Sequence, residues 1–210
     1  MSLKQRDRIS GLYAITPDEH NTAELVDKVR LALLGGARVL QYRNKVAKSA
    51  VRLKQAQALR EVTSEFDIPL IINDDLSLAL NVTADGVHLG NKDVSVADAR
   101  AVLGKGKLIG VSCYNRIALA HEAERLGADY VAFGSFFGSK VKPEAVTAKL
   151  DLLRQARDEV TVPLVAIGGI TLQNGGQLLD AGANALAVIS ALFDVEDIQL
   201  AAREFSTLIA

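Results

Sequence analysis

Residues 162–190 read VPLVAIGGITLQNGGQLLDAGANALAVIS and hold one complete structural unit. Leu164–Ile167 is a short, continuous apolar run of strand length. Segment 172–181 has helix length and is followed by Gly182-Ala183, and Ala185–Ile189 is a second apolar run. Glycine readily takes the left-handed conformation that closes many helices, which gives Gly182 a physical reason for its place. A strand that is apolar along its whole length is covered on both faces, as in parallel sheets whose crossover helices lie outside.

The same unit recurs along the chain. Gly36-Ala37 and Gly127-Ala128 likewise close helices just before strands. Strand-like runs fall at Gly11–Ile15, Ala37–Gln41, Pro69–Ile72, Gly86–Leu89, Lys107–Val111, Tyr130–Phe133, Leu164–Ile167 and Ala185–Ile189. Helix-like segments fall at 22–34, 48–64, 75–81, 95–103, 116–126, 144–158, 172–181 and 196–208. Leu25, Val29, Ala32 and Leu33 repeat at helical spacing in the first, and Val51, Leu53, Ala56, Leu59 and Val62 do so in the second. Eight such units predict an α/β chain folded as a single (β/α)8 TIM barrel over residues 1–210. The rival is a doubly wound open sheet, which usually carries fewer strands and a glycine-rich first turn. Here the first turn is Thr16-Pro17-Asp18.

Composition narrows the class. The 210 residues carry a formal net charge of −1, and 49% are hydrophobic. No basic block appears, so neither a nucleic acid nor a membrane surface is expected as a partner. The single cysteine, Cys113, forms no intrachain disulfide and fits a reducing compartment. Met1–Ser10 is polar and lacks the apolar core of a signal peptide, and no apolar stretch is long enough to span a bilayer. These features predict a cytoplasmic protein and leave room for a homo-oligomer.

In a parallel barrel the chemistry sits at the C-terminal ends of the strands. Gln41, Arg43 and Lys45 alternate at the second strand end, so an extended backbone aims all three, with Val39, toward the barrel interior. The plainer reading is a solvated basic loop. Asn73-Asp74-Asp75 follows the third strand; a helix N-cap explains Asp75 but leaves Asp74 unexplained. Asp93 lies in the loop after the fourth strand, unless it caps the helix beginning near Ser95. Two carboxylates from neighbouring strand ends are hard oxygen ligands for Mg²⁺, which keeps water and substrate phosphate in its other positions. Gly168-Gly169 and Ile189-Ser190 occupy the loops after the last two strands, where many barrels cradle a phosphate; a tight turn is the simpler account. Two anion sites at one barrel mouth suit the joining of two phosphorylated substrates with loss of pyrophosphate. The histidines, His20, His88 and His121, are scattered: His88 either faces the site or is structural, and His121 lies mid-helix at the surface.

With these residues in place, the chain resembles the thiamine-phosphate synthase (thiamine-phosphate pyrophosphorylase) family over nearly its whole length. The matching segments are GLYAITP at 11–17, QYRNK at 41–45, PLIINDD at 69–75, ADGVHLGNKD at 84–93, IGVSCY at 109–114, ADYVAFGSFF at 128–137, VPLVAIGGIT at 162–171 and AVIS at 187–190. The resemblance implies a transferase that couples a hydroxymethylpyrimidine diphosphate to a thiazole phosphate, with Mg²⁺ as cofactor and a dissociative, carbocation mechanism. It implies Asp74 and Asp93 as Mg²⁺ ligands, and Arg43, Lys45, Asn73 and Lys142 as diphosphate-binding groups. Gln41 is similar to the residue that holds the aminopyrimidine, Ser112 to one beside the reacting methylene, and Ser139 to a hydroxyl residue of the loop after strand six. Gly169, Ile189 and Ser190 resemble a thiazole-phosphate site, and the catalytic group it implies is Ser112, Lys142, Arg43 and Lys45.

The chain departs from that family's pattern in three places. Asn91-Lys92 precedes Asp93 where glutamine and an acidic residue are usual, Val141 replaces a threonine, and Tyr114 stands where histidine is common. Two other readings remain open at this stage: a tautomerase-like paralogue acting on a thiazole carboxylate phosphate, and a noncatalytic paralogue that binds thiazole or thiamine phosphate. Phosphate-binding barrels of tryptophan biosynthesis share only the Gly-Gly cradle.

Overall fold

Eight parallel strands pair in chain order and close on themselves, β1 lying between β2 and β8. A computed structural model of the chain describes residues 8–138 and 147–209. The strands are β1 (Gly11–Ile15), β2 (Val39–Tyr42), β3 (Leu70–Asn73), β4 (Gly86–Leu89), β5 (Leu108–Tyr114), β6 (Tyr130–Phe133), β7 (Leu164–Ile167) and β8 (Ala185–Val188). The helices are α1 (Thr22–Leu34), α2 (Ser49–Glu65), α3 (Leu76–Asn81), α4 (Val96–Leu103), α5 (Ile117–Arg125), α6 (Leu150–Glu159), α7 (Leu172–Asp180), α8 (Ser190–Phe193) and α9 (Ile198–Ile209). The barrel expected from the alternating pattern is the barrel observed.

Strand alternation sorts the apolar residues into two cores. Tyr13, Val39, Ile71, Leu108, Tyr130, Val165 and Ala185 fill the barrel interior. Their neighbours, among them Leu12, Leu40, Leu70, Val87, Ile109, Val131, Leu164 and Leu186, pack outward against the helices. Both faces of each strand are therefore dry, which is why the strands read as unbroken apolar runs. Gly36, Gly127 and Gly182 hold positive φ (104°, 93° and 112°), as their place after helices required. Among the described residues, no helix is long and apolar enough to cross a membrane.

Several boundaries differ from the sequence expectation. β2 starts at Val39 rather than Ala37, because the Ala37 N–H still bonds the helical carbonyl of Ala32 at 3.1 Å. β5 runs on to Tyr114, with a register shift between Ser112 and Tyr114, so Ser112 belongs to a strand. The helix expected from 144 begins at Leu150; residues 144–146 fall outside the described residues. The four-residue α8 was not foreseen, being too short to show a helical period.

At the N-terminal end of the barrel, three side chains just before strands do one job. Asp85 accepts from the Leu70 N–H (2.8 Å), Asp129 from the Ile109 N–H (2.8 Å) and Asn184 from the Leu164 N–H (2.7 Å). Each fixes the start of the preceding strand. Arg60 pairs with Asp85 and Arg100 with Asp129, the latter at 2.5 Å. Asp129 is 1% exposed, so removing it leaves the buried Ile109 amide without its acceptor and Arg100 with only its backbone carbonyl partners. Asp129→Ala is expected to cost about 3 kcal/mol, read from the urea midpoint. A loss below about 0.5 kcal/mol, the scale of an ordinary surface change, would contradict this role.

Candidate active site

A cavity of about 470 Å³ occupies the C-terminal ends of the strands. Gln41, Arg43, Asn73, Ser112, Gly169, Ile189 and Ser190, all singled out from sequence, line it. Lys45 and Asp74 line a second cavity of about 260 Å³, with Asn73 common to both. Ser139 and Lys142, together with Val141, lie outside the described residues.

The cation-bearing loop after β2 is held by the loop after β1. Thr16 Oγ1 accepts from the Arg43 N–H at 2.8 Å and donates to the Arg43 carbonyl at 2.9 Å. Asp18 accepts from the Lys45 N–H at 2.7 Å and faces the Arg43 guanidinium at 3.4 Å. Gln41 and Arg43 aim into the large cavity as expected. Lys45 does not join them: its ammonium turns to Asp74, 2.5 Å away. Extended geometry ends after Tyr42, because the Asn44 side chain accepts from the Val46 and Ala47 N–H groups and bends the chain into a turn.

Asp74 and Asp75 divide the two roles that sequence left between them. Asp75 caps α3, accepting from the Leu78 N–H at 2.9 Å. Asp74 sits at φ 62°, a conformation unusual for a residue with a side chain, and its N–H bonds the His88 carbonyl at 2.9 Å. Asp93 does not cap α4; Ser95 does. Asp93 instead accepts from the Gly90 N–H at 2.6 Å and shares a hydrogen bond with Asp74. Burial pushes the Asp74 carboxyl up, but the Lys45 and Asp93 hydrogen bonds outweigh it and hold the group below its ordinary range. Burial and the neighbouring Asp74 push Asp93 up against the Gly90 bond. Two carboxylates from neighbouring strand ends offer hard oxygen ligands that a divalent cation fits, its further positions left to water and phosphate. Among the described residues no cluster of three or more acidic, histidine or cysteine side chains gathers as a closed cage.

Sequence reasoning missed the polar floor of the cavity. Gln41 Nε2 donates to the Tyr13 hydroxyl (2.8 Å), which meets the Tyr130 hydroxyl (2.8 Å). Tyr130 reaches His88 Nδ1 (3.1 Å), and His88 Nε2 reaches Ser112 Oγ (2.9 Å). We assign the direction in which the Tyr13 hydroxyl passes its own proton to Tyr130, so that donors follow in order from Gln41 to Ser112; a Tyr130 hydroxyl donating to Tyr13 would reverse the order beyond that point. His88 then carries its proton on Nε2, and the Ser112 hydroxyl keeps its own proton for the cavity. Burial pushes both tyrosine hydroxyls up, so they remain neutral. A Cβ on Gly110 would come within 1.9 Å of the Tyr130 ring, so only glycine admits that ring. The available signal was tyrosine at interior-facing strand positions, where barrels usually place aliphatic residues.

The Gly-Gly turn after β7 has a packing reason of its own. A Cβ on Gly169 would lie 2.4 Å from the Gly138 carbonyl, and one on Gly168 would lie 2.0 Å from Ser135 Oγ. These glycines let residues 135–138 pack against the turn that leads into α7, where the Phe137 N–H bonds the Gly168 carbonyl at 3.0 Å. Tyr114 stands at that rim at φ 55°, its hydroxyl 3.4 Å from the Asn91 N–H.

Residues 12–192 match the family model described as thiamine monophosphate synthase. The chain belongs to that family. With membership comes its class, a transferase of thiamine biosynthesis. A thiamine-phosphate synthase of Methylobacillus flagellatus is 53% identical over 200 residues, covering 95% of each chain. One of Nitrosospira multiformis is 51% identical over 207 residues, covering 99% of this chain and 88% of its own. Among solved structures, a thiamine phosphate pyrophosphorylase from Pyrococcus furiosus superposes with a TM-score of 0.87 at 35% identity, covering 98% of this chain and 97% of its own. A (S)-3-O-geranylgeranylglyceryl phosphate synthase from Thermoplasma acidophilum shares the fold alone, with a TM-score of 0.75 at 16% identity over 100% and 98% of the two chains.

Tyr130→Phe keeps the ring that packs on Gly110 and removes the hydroxyl joining Tyr13 to His88. We expect ¹⁵N spectra to show the Nε2–H tautomer of His88 in the parent, and a loss of that preference in the variant. An Nδ1–H tautomer in the parent would reverse the direction assigned to the chain.

Proposed function

We propose that the chain joins 4-amino-2-methyl-5-hydroxymethylpyrimidine diphosphate to hydroxyethylthiazole phosphate, giving thiamine phosphate and pyrophosphate. The observation that carries this reading is the asymmetry of the mouth. Arg43, Lys45, Asn73 and the Asp74–Asp93 pair lie on one side, and the backbone-rich turns at Gly168–Thr171 and Ile189–Ala191 lie on the other. The first side suits a metal-bound diphosphate and the second a monophosphate.

Asp74 and Asp93 would hold Mg²⁺, which when bound would supply positive charge to offset the negative charge developing on the leaving diphosphate. Arg43, Lys45 and Asn73 bind the diphosphate oxygens, and Lys142 adds a further cation by its sequence match. Gln41 holds the aminopyrimidine: its Nε2 keeps a second hydrogen for a ring nitrogen, and its Oε1 accepts from the amino group. The bond between the pyrimidine methylene and the diphosphate oxygen breaks with both electrons leaving on oxygen. The thiazole nitrogen lone pair then forms the new C–N bond to the pyrimidine carbocation. Ser112 lies beside that methylene, and Ser139 adds a hydroxyl group by its sequence match. Gly169, Ile189 and Ser190 hold the thiazole phosphate.

No general base is needed for this coupling. The floor of Tyr13, Tyr130 and His88 fits that requirement, because the neutral hydroxyls of Tyr13 and Tyr130 place no anionic nucleophile beside a carbocation. The tautomerase reading would want an acid–base group at position 114, where a rim tyrosine stands.

Asp93→Ala tests the metal assignment. Turnover is expected to fall at least about 100-fold, the scale of losing a preorganised electrostatic group, while the melting temperature stays near that of the parent. Normal turnover with an unchanged magnesium requirement would sink the assignment.

A further inference from the structure

We propose that the second cavity, about 260 Å³ and walled by Asn44, Lys45, Arg52, Asn73 and Asp74, is a phosphate subsite completed by Arg52 of α2. The inference rests on the proposed diphosphate substrate: the distal phosphoryl group, and pyrophosphate once the bond has broken, is the occupant.

Among the described residues two buried side-chain atoms lack a hydrogen-bond partner: Asp129 Oδ1, at the N-terminal end of the barrel, and Arg52 Nε, beside this cavity. The Arg52 guanidinium reaches only Asp75, at 3.5 Å, and Asp75 already spends one oxygen capping α3. Its polar neighbours Asn44 and Gln55 are hydrogen-bonded elsewhere. Asn44 donates to the Glu19 carbonyl (2.6 Å) and to Gln55 Oε1 (3.0 Å), and accepts from two backbone amides. Gln55 in turn donates to the Glu19 carbonyl (2.8 Å) and accepts from Tyr42 (2.8 Å). In such surroundings a buried N–H without a partner is the exception that needs a reason.

The cavity supplies one. Arg52 and Lys45 place two cations on its wall, and Asn73 forms the partition it shares with the catalytic cavity. A guanidinium presents its N–H groups as a planar fork that matches phosphate oxygens, and Nε–H is one tine of that fork. A phosphate entering here would meet the unmatched Nε–H of Arg52 and the ammonium of Lys45 while its partner phosphoryl group remained with Arg43. Arg52 therefore binds the leaving group rather than merely tying α2 to α3.

The two roles predict opposite responses at the two ends of the Arg52–Asp75 contact. The intact protein is titrated with inorganic pyrophosphate in the presence of Mg²⁺ by calorimetry, as parent, Arg52→Met and Asp75→Asn. Asparagine keeps the cap on α3 but removes the carboxylate that competes for Arg52. Arg52→Met is expected to weaken pyrophosphate at least about tenfold, as expected for loss of a charge-assisted contact. It should also raise KM for the pyrimidine diphosphate and leave KM for the thiazole phosphate unchanged. Asp75→Asn should bind pyrophosphate as tightly as the parent or more tightly. Pyrophosphate affinity within twofold of the parent in Arg52→Met would overturn the proposal. So would equal weakening in both variants with equal losses of melting temperature, the signature of a structural tie. A parent that binds pyrophosphate through Arg52 yet releases none from the two substrates would support the subsite and refute the reading of function instead.

Discussion

Pairing of β1 with β8 is the constraint on which the rest of the molecule depends. Once Leu12 lies against Leu186 and Tyr13 against Ala187, no strand has an open edge, and all eight C-terminal ends face one mouth. Residues far apart in sequence, such as Gln41, Ser112 and Ser190, are thereby brought to one cavity without any local sequence tie. The Asp85, Asp129 and Asn184 bonds at the opposite end hold the strand starts in register. One end of the barrel carries the ties and the other carries the chemistry.

The mouth separates charge from neutrality. Lys45, Arg43 and the Asp74–Asp93 pair lie toward the rim, where an anion and a divalent cation can be exchanged with solvent. Below them, Tyr13 and Tyr130 are fully buried hydroxyls that burial keeps protonated. Such a floor orients Gln41 and Ser112 through hydrogen bonds. The backbone conformation of Asp74, costly for any residue with a Cβ, is the local concession that turns its carboxylate toward Asp93.

The barrel was readable because its strands are largely dry on both faces, so each left an apolar run, and positive-φ glycines at 36, 127 and 182 closed the helices before three of them. The cavity linings were readable where a side chain followed directly from a strand end, as with Gln41, Asn73 and Asp74. It was less readable where a loop bends. Lys45 continued the alternation on paper, yet the turn made by Asn44 sends it to a neighbouring cavity. The Gly168-Gly169 pair was read for an anion, and close approach of the segment after β6 explains it as well. The contact between Tyr13 and Tyr130 spans 117 residues, and which interior positions meet depends on the barrel's stagger rather than on any local pattern. Arg52 read as one more cation on a helix; only its unmatched Nε sets it apart.

The most direct measurement of the central claim is release of pyrophosphate from the pyrimidine diphosphate and the thiazole phosphate, followed with Mg²⁺ and again with a chelator. The account predicts pyrophosphate and thiamine phosphate in equal amounts with magnesium and neither with chelator. Tight binding of both phosphates with no pyrophosphate released in magnesium would contradict it.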